Sequence, residues 1–227
     1  MTSLPPSPPP PPSIPPSHTR HAAPARSRDA RVTRARLIRA ALELFTTQGF
    51  RGTTTPEIAQ RAGVAEATIY RHFPGKEALL VAACLEAQSH GKGLIAEEEH
   101  RTGTDLREGL TRIGRHLVEL AQHDPALLRM LLRPPEEALA QEPARRGIRD
   151  FHESLQQLVA AGKQRGQVRP GSAELWGAVW LALAGFIAEQ VASRAWTPDH
   201  PNVEQALDAA WDAISYRRAD HPVKVVS

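Results

Sequence analysis

Between Thr53 and Phe73 the chain is punctuated so closely that only short helices fit, and they must meet at a tight turn. Thr55, Pro56 and Glu57 are three agreeing start signals: Thr55 as cap, a proline that needs no amide at the first position, and an acid near the positive helix end. Gly63 suits a turn residue with positive φ and closes this helix. A second short helix, about 66–72, must stop before Pro74, because the residue preceding proline disfavours the helical region. Ala59 is small where the two helices have to approach closely. Ile58, Ala62, Val64, Ile69 and Phe73 supply the apolar contacts that lock the pair onto a longer helix before it. Glu66, Ala67, Thr68, Arg71 and His72 are then left on the other side of the second short helix, free to enter a major groove about 12 Å wide.

That longer helix is written from Asp29 onward, where Val32, Leu37, Ala40, Ala41, Leu44 and Phe45 recur at helical spacing until Gly49. Lys76 starts another long helix running towards His90. Further helical segments follow near 104–122, 125–133, 143–165, 172–194 and 202–217, broken by Gly103, Asp124-Pro125, Pro134-Pro135, Gly166 to Gly171 and Thr197-Pro198. Aromatic residues make up only 5% of the chain, so the core rests on Leu, Ala, Val and Ile, which favours helices. No strand pattern and no internal repeat is present. The expected fold is all-α, with about nine helices: a three-helix helix-turn-helix head over 28–75 and a helical body over 76–220. A tail over 1–27 and a flexible C-terminus over 221–227 flank them. Residues 1–24 hold ten of the twenty prolines and read as a disordered, polyproline-II-leaning tail. Such a tail fits a proline-recognition partner, an inert extension or a misassigned start codon.

The net charge of +3 is unevenly spread. Residues 18–77 carry eleven Lys or Arg against five acids, and the remainder is net acidic. A basic head on a mildly acidic body is the balance of a protein that presents one end to phosphates. Arg26, Arg28 and Arg31 precede or open the first helix. They read either as an arm on phosphate or minor groove, or as a solvated basic lead-in. Cys84 is the one cysteine, so no internal disulfide forms, and a lone buried thiol fits a reducing cytoplasm. No run of about 18 uncharged apolar residues appears, so no transmembrane helix is expected. The start lacks the basic and apolar regions of a secretory signal, so a soluble, cytoplasmic protein without membrane partners is expected.

Enzyme signatures are missing. There is no HExxH, cysteine-rich metal spacing, GxSxG, P-loop or dinucleotide fingerprint. His116 with Glu119, and His152 with Glu153, are local pairs without the further members that a metal or catalytic site needs. No catalytic residue, metal or cofactor is expected.

The run GFRGTTTPEIAQRAGVAEATIYRHFPGKEALL, residues 49–80, resembles the DNA-binding head of the TetR/AcrR family of transcriptional regulators. It shares the Gly-aromatic-x-x-Thr-Thr lead-in, the Ile-Ala-x-x-Ala-Gly-Val turn, and Tyr-x-His-Phe followed by Gly-Lys-Glu. The resemblance implies that Thr53 and Thr55 sit near the DNA backbone, and that Tyr70, His72 and Lys76 reach phosphates. Glu66, Ala67, Thr68 and Arg71 are the candidates for base edges. The chain departs from the family pattern at Ala65, where relatives have a capping residue, and at Ala67, where they have glycine. The resemblance further implies a homodimer on a palindromic DNA operator, most simply a repressor, released by a small-molecule effector held in the body. An activator or global regulator without an inducer shares the same head.

In the body, Ala178, Ala182, Gly185 and Ala192 form a small-residue stripe on the 172–194 helix, suited to close packing on a partner. Trp176, Trp180, Leu183 and Ile187 form a bulky stripe for its own core. Leu207, Trp211 and Ile214 of the last helix complete the candidate dimer interface. The alternative is a purely intramolecular core. Candidate pocket residues for an apolar or aromatic effector are His116, Leu120, Met130, Phe151, Leu155, Trp176 and Trp180, each of which also reads as plain core or surface.

Overall fold

A computed structural model describes residues 23–101 and 105–216, with side chains from Arg28 onward. The expected proline-rich tail and flexible C-terminus fall largely on residues outside these. Ten helices are present among the described residues. They are α1 (Ala23–Thr47), α2 (Thr55–Ala62), α3 (Glu66–His72), α4 (Lys76–Glu99), α5 (Leu106–His123), α6 (Pro125–Leu132), α7 (Glu136–Leu139), α8 (Glu142–Gln164), α9 (Ala173–Ala192) and α10 (Pro201–Ile214). The all-α architecture agrees with the sequence reading, and no strand occurs among the described residues beyond one isolated bridge between Val168 and Ser215.

Several boundaries differ from the expectations, each for an identifiable reason. Residues 23–27, assigned above to the tail, belong to α1, whose Pro24 lies in the first turn, where a proline costs no hydrogen bond. Helix α4 runs nine residues past His90, through Gly91 and Gly93. Gly91 is there for packing: a Cβ at that position would lie 2.6 Å from Leu131 Cδ1 and 2.7 Å from Phe151 Cε2. Close approach of α6 and α8 outweighs the cost of about 1 kcal/mol for a glycine inside a helix. The four-residue α7 follows Pro134-Pro135, where the sequence reading placed only a break.

The head is α1, α2 and α3, with α2 packed against α1 and α3 against α2, and with Leu37, Ala41, Phe45, Ile58, Ile69 and Phe73 all buried in its core. Helix α4 leaves the head and becomes the central element of the body, packed along α8. Helices α5, α8 and α10 surround α9 on its inner side. One buried cluster runs from Leu37 in the head to Ile214 in α10, so head and body share a core through Leu79, Leu80 and Ala83 of α4. Polar ties run alongside it. Arg39 on α1 pairs with Asp124, which caps α6 by accepting from the Leu127 N–H at 2.9 Å, and Arg51 pairs with Glu137 of α7 at 2.9 Å. Cys84 is fully buried, and burial pushes its thiol up to about 11, only partly offset by a hydrogen bond from Gln88. It is the inert small core residue that its place in the sequence suggests.

Helix α9 is long and apolar enough to cross a membrane by length and composition, which the sequence reading missed because Glu174 and Glu189 interrupt the run. Only 33% of that segment is buried within the monomer. Glu189 pairs with Arg129 of α6 at 3.0 Å, tying its inner edge to the body.

Candidate nucleic-acid interface and effector cavity

The turn between α2 and α3 follows from local chemistry. Gly63 ends α2 at φ 65°, in the left-handed region that a side chain disfavours, and its N–H satisfies a free carbonyl at Gln60. Thr54, not Thr55, is the N-cap of α2. The Glu57 carboxylate reaches back to accept from both the Thr54 N–H and its hydroxyl at 2.7 Å, which holds this acid below the usual carboxylate range. The Thr-x-x-Glu spacing at 54–57 was the signal that could have placed the cap correctly. Helix α3 starts at Ala65 with no side-chain cap, as the departure at that position implies.

The structure brings most of the expected DNA-facing residues together on one exposed surface. Glu66, Ala67, Tyr70 and Arg71 are exposed on α3, and Thr68 and His72 are half-buried. Thr55, now the first residue of α2, donates its hydroxyl to Glu66 Oε1 at 3.1 Å and lies 3.4 Å from the Tyr70 hydroxyl. These contacts tie the N-terminus of α2 to the outer face of α3. No ion pair occupies Arg71 among the described residues, so its guanidinium is free for a partner outside the chain.

Two expected contacts point inward instead. Thr53 is fully buried, and its hydroxyl donates to the Gly49 carbonyl at 2.8 Å. The Lys76 ammonium donates to the Phe50 and Thr53 carbonyls at 2.8 and 2.9 Å and sits 4.2 Å from the centre of the Phe50 ring. It clamps the α1–α2 loop to the start of α4, because those loop carbonyls have no helical partner and a cation supplies three donors. Lys76→Ala is therefore expected to lower stability by about 2 kcal/mol through loss of charge-assisted bonds. Thermal unfolding followed by circular dichroism checks this. Unchanged unfolding with a weaker salt dependence of DNA binding would return the ammonium to a phosphate.

Glu43 carries a second set of polar contacts that the sequence did not signal. It accepts from Arg39 and Arg61, each at 2.8 Å, and so joins α1 to the end of α2. Burial pushes its carboxyl up, but the hydrogen bonds from Arg61 and then Arg39 outweigh this and leave it below the ordinary value. The link is thus intact above the usual carboxylate range and weakens as pH falls through it.

The expected pocket is closed. A cavity of about 10 Å³ lies between Gly91, Ile95, Leu117, Leu131, Phe151 and Trp180, room for no more than one water. Phe151, Leu155 and Trp180, three of the candidate pocket residues, line it. Met130 is fully buried nearby without lining it, and Leu120 is half-buried. His116 is exposed on α5, its Nδ1 3.0 Å from the Arg112 carbonyl. Trp176 lies at the end of α9, donating to the Pro170 carbonyl at 3.1 Å under Arg169. Neither helix turn points its side chain at the cavity, so both residues leave the pocket set.

The outer face of α9 is apolar and open. Ala178 and Ala182 are exposed, and Gly185 and Ala192 half-buried, as the small-residue stripe requires. Leu175, Leu183 and Phe186 extend it at 51%, 38% and 52% exposure, although Leu183 was expected inside and Phe186 was not singled out. Leu207 and Ile214 are core residues of the monomer, with Leu207 seated against Gly114 of α5, where a Cβ would come within 2.5 Å of its Cδ2. Neither residue is open to a partner. Trp211 is half-buried.

Residues 37–83 match the family of bacterial regulatory proteins called tetR. Those residues, which span α2, α3 and the ends of α1 and α4 that flank them, are a tetR-type DNA-binding region. It is 36% identical over 129 residues to the uncharacterised HTH-type transcriptional regulator YvkB of Bacillus subtilis, a match spanning 57% of this chain and 65% of YvkB. It is 42% identical over 72 residues to the class D tetracycline repressor protein of Escherichia coli, spanning 31% of this chain and 33% of that one. Both matches thus cover less than two thirds of the relative's length. Among solved structures, a TetR family transcription regulator from Marinobacter aquaeolei superposes with a TM-score of 0.70 at 26% identity, over 85% of this chain and 100% of that one. The head of this chain is thus similar in sequence to the TetR-family regulators, and its architecture is similar to theirs in fold.

Proposed function

We propose that this chain is a TetR-family transcriptional regulator that binds a palindromic DNA operator as a homodimer and acts as a repressor. It works in the cytoplasm, and a small apolar or aromatic molecule entering the body releases it. The observation that carries the DNA reading is the outer face of α3, where Arg71 stands exposed and unpaired beside Ala67, Tyr70 and Glu66. A seven-residue helix with a free guanidinium suits a major groove, where arginine discriminates guanine. Tyr70 and His72 flank it as phosphate contacts, with Thr68 and Ala67 at base edges. One such helix gives little affinity alone, so a second copy is needed.

The apolar stripe of α9 supplies the means. Leu175, Ala178, Ala182, Leu183 and Phe186 form a contiguous exposed patch of the kind that marks an interface. Packing two α9 helices across a two-fold axis would bury it, with Trp211 at its margin. The proposed division is a DNA-binding unit over 28–75 and a ligand-binding and dimerisation unit over 76–220. Release follows if a ligand that opens the cavity at Phe151, Leu155 and Trp180 favours a head spacing the operator does not accept. The closed cavity favours the second reading, a regulator or activator without an inducer.

A gel shift on the DNA flanking its own coding region, with and without apolar and aromatic compounds, tests the proposal. A sequence-selective shift at physiological salt that a compound reverses is the expected result. No selective shift for any fragment overturns it.

A further inference from the structure

Helix α1 overhangs the head. From Arg28 to Arg36 every residue is exposed except the half-buried Thr33, and burial begins only at Leu37. The six residues from Arg28 to Thr33, about 9 Å of helix at 1.5 Å each, make no hydrogen bond or ion pair to another element among the described residues, whereas Arg34 and Arg36 reach back to Phe73 and to the Gly63 carbonyl. Its character is not random. Arg31 and Arg34 lie seven residues, two turns, before Ile38 and Ala41, which are buried in the head. The face that is apolar inside the domain is therefore continued by arginine where it leaves the domain. Asp29, the one acid of the stretch, lies about 200° around the helix from Arg31.

The direction of this face is set by one contact. The Arg34 guanidinium sits 4.9 Å from the centre of the Phe73 ring, and Phe73 is the C-cap of α3, directly after His72. The arginine face thus starts at the end of the recognition helix and extends outward from it. Arg28 and Arg31, one turn apart, have no ion pair among the described residues.

We propose that these turns of α1 form a cationic ledge that rests on the phosphate backbone of duplex DNA, outside the groove that α3 enters. Arg28 and Arg31 make the contacts, and Arg34 fixes the angle through Phe73. The occupant is argued from charge complementarity and from continuity with the α3 surface, so the proposal rests on the DNA-binding reading above. It replaces a flexible basic arm with a rigid element, which loses less entropy on binding. The contacts are with phosphate, so they add affinity for any sequence.

The test needs no operator. The full chain is titrated onto a fluorescent duplex of random sequence, and the binding constant is followed across a series of salt concentrations. Removing one cation from a phosphate lowers the slope of log K against log salt by about 0.9. Arg28→Ala with Arg31→Ala is expected to lower it by about 1.8 per bound head and to weaken binding at least tenfold at low salt. Arg28→Lys with Arg31→Lys should keep the slope, since a point charge suffices for a phosphate. DNA binding with an unchanged slope in the alanine pair overturns the ledge and leaves the regulator reading standing. A change in oligomeric state with an unchanged slope also overturns it, in favour of a contact between copies. No binding by the parent chain removes both.

Discussion

Ala182→Glu is expected to turn the proposed dimer into monomers while leaving the monomer's stability nearly unchanged. Ala182 is exposed in the monomer, in the middle of the apolar stripe that Leu175, Ala178, Leu183 and Phe186 complete. A carboxylate there costs little as long as it stays in water. Closing two α9 helices over it would bury an unpaired charge at each copy, at several kcal/mol each. Dimer affinity should then fall by more than about a hundredfold, and operator binding with it, because each monomer brings a single α3. Sedimentation equilibrium reads the first effect and thermal unfolding the second. A variant that stays dimeric would place the interface elsewhere and leave the stripe unexplained.

The second large effect is on the stability of the body. Glu98, near the end of α4, is 4% exposed and receives a bidentate pair from Arg112 of α5, Nε to Oε1 at 3.1 Å and Nη2 to Oε2 at 2.7 Å. Arg101 adds a weaker contact at 3.5 Å. Arg112→Leu leaves the buried carboxylate without its main partner, and breaking such a pair from one side costs about 3–5 kcal/mol. Arg101 softens this, so about 3 kcal/mol is expected, or roughly 6–12 °C in Tm for a chain of this size. Glu98→Leu combined with Arg112→Leu should recover most of the stability, since two leucines replace both charges without stranding either. Urea unfolding of the two single variants and the double variant completes the cycle. Equal destabilisation in the double and the single variant would mean that side-chain packing, not charge pairing, holds α4 to α5.

The parts of this protein that were legible in the sequence are those where local signals agree. Gly63, Pro74 and the apolar set at Ile58, Ile69 and Phe73 mark α2, the turn and α3 within a residue of their observed ends. They do so because turn geometry and proline exclusion act over a few bonds. The outward face of α3 follows from the same periodicity. Where two local signals competed, the reading slipped. Thr54 and Thr55 are adjacent hydroxyls, and only the reach of Glu57 back to Thr54 decides which one caps.

Lys76 shows the other kind of limit. Its charge and its place at a helix start suit a phosphate, but the Phe50 and Thr53 carbonyls that capture it lie 26 and 23 residues away. The helix from Lys76 was expected to run only towards His90, and its passage through Gly91 is explained by α6 and α8 pressed against that residue. Leu207 and Ile214 share a helical face that could serve a partner or the core, and Gly114 opposite Leu207 assigns that residue to the core. His116 and Trp176 are aromatic or polar residues on body helices, yet helix rotation carries both away from the cavity.

By itself, then, the sequence determined the all-helical class, the helix-turn-helix, its TetR-like head and the face of α3 that is offered outward. Those rest on backbone preferences and on the 3.6-residue period, which each short stretch expresses on its own. Only the tertiary structure decided that Lys76 is a clamp, that the cavity among Phe151, Leu155 and Trp180 is closed, and that Arg28 and Arg31 extend past the point where Arg34 rests on Phe73. Those depend on which helices meet and at what rotation, and that is settled by the packing of residues far apart in the chain.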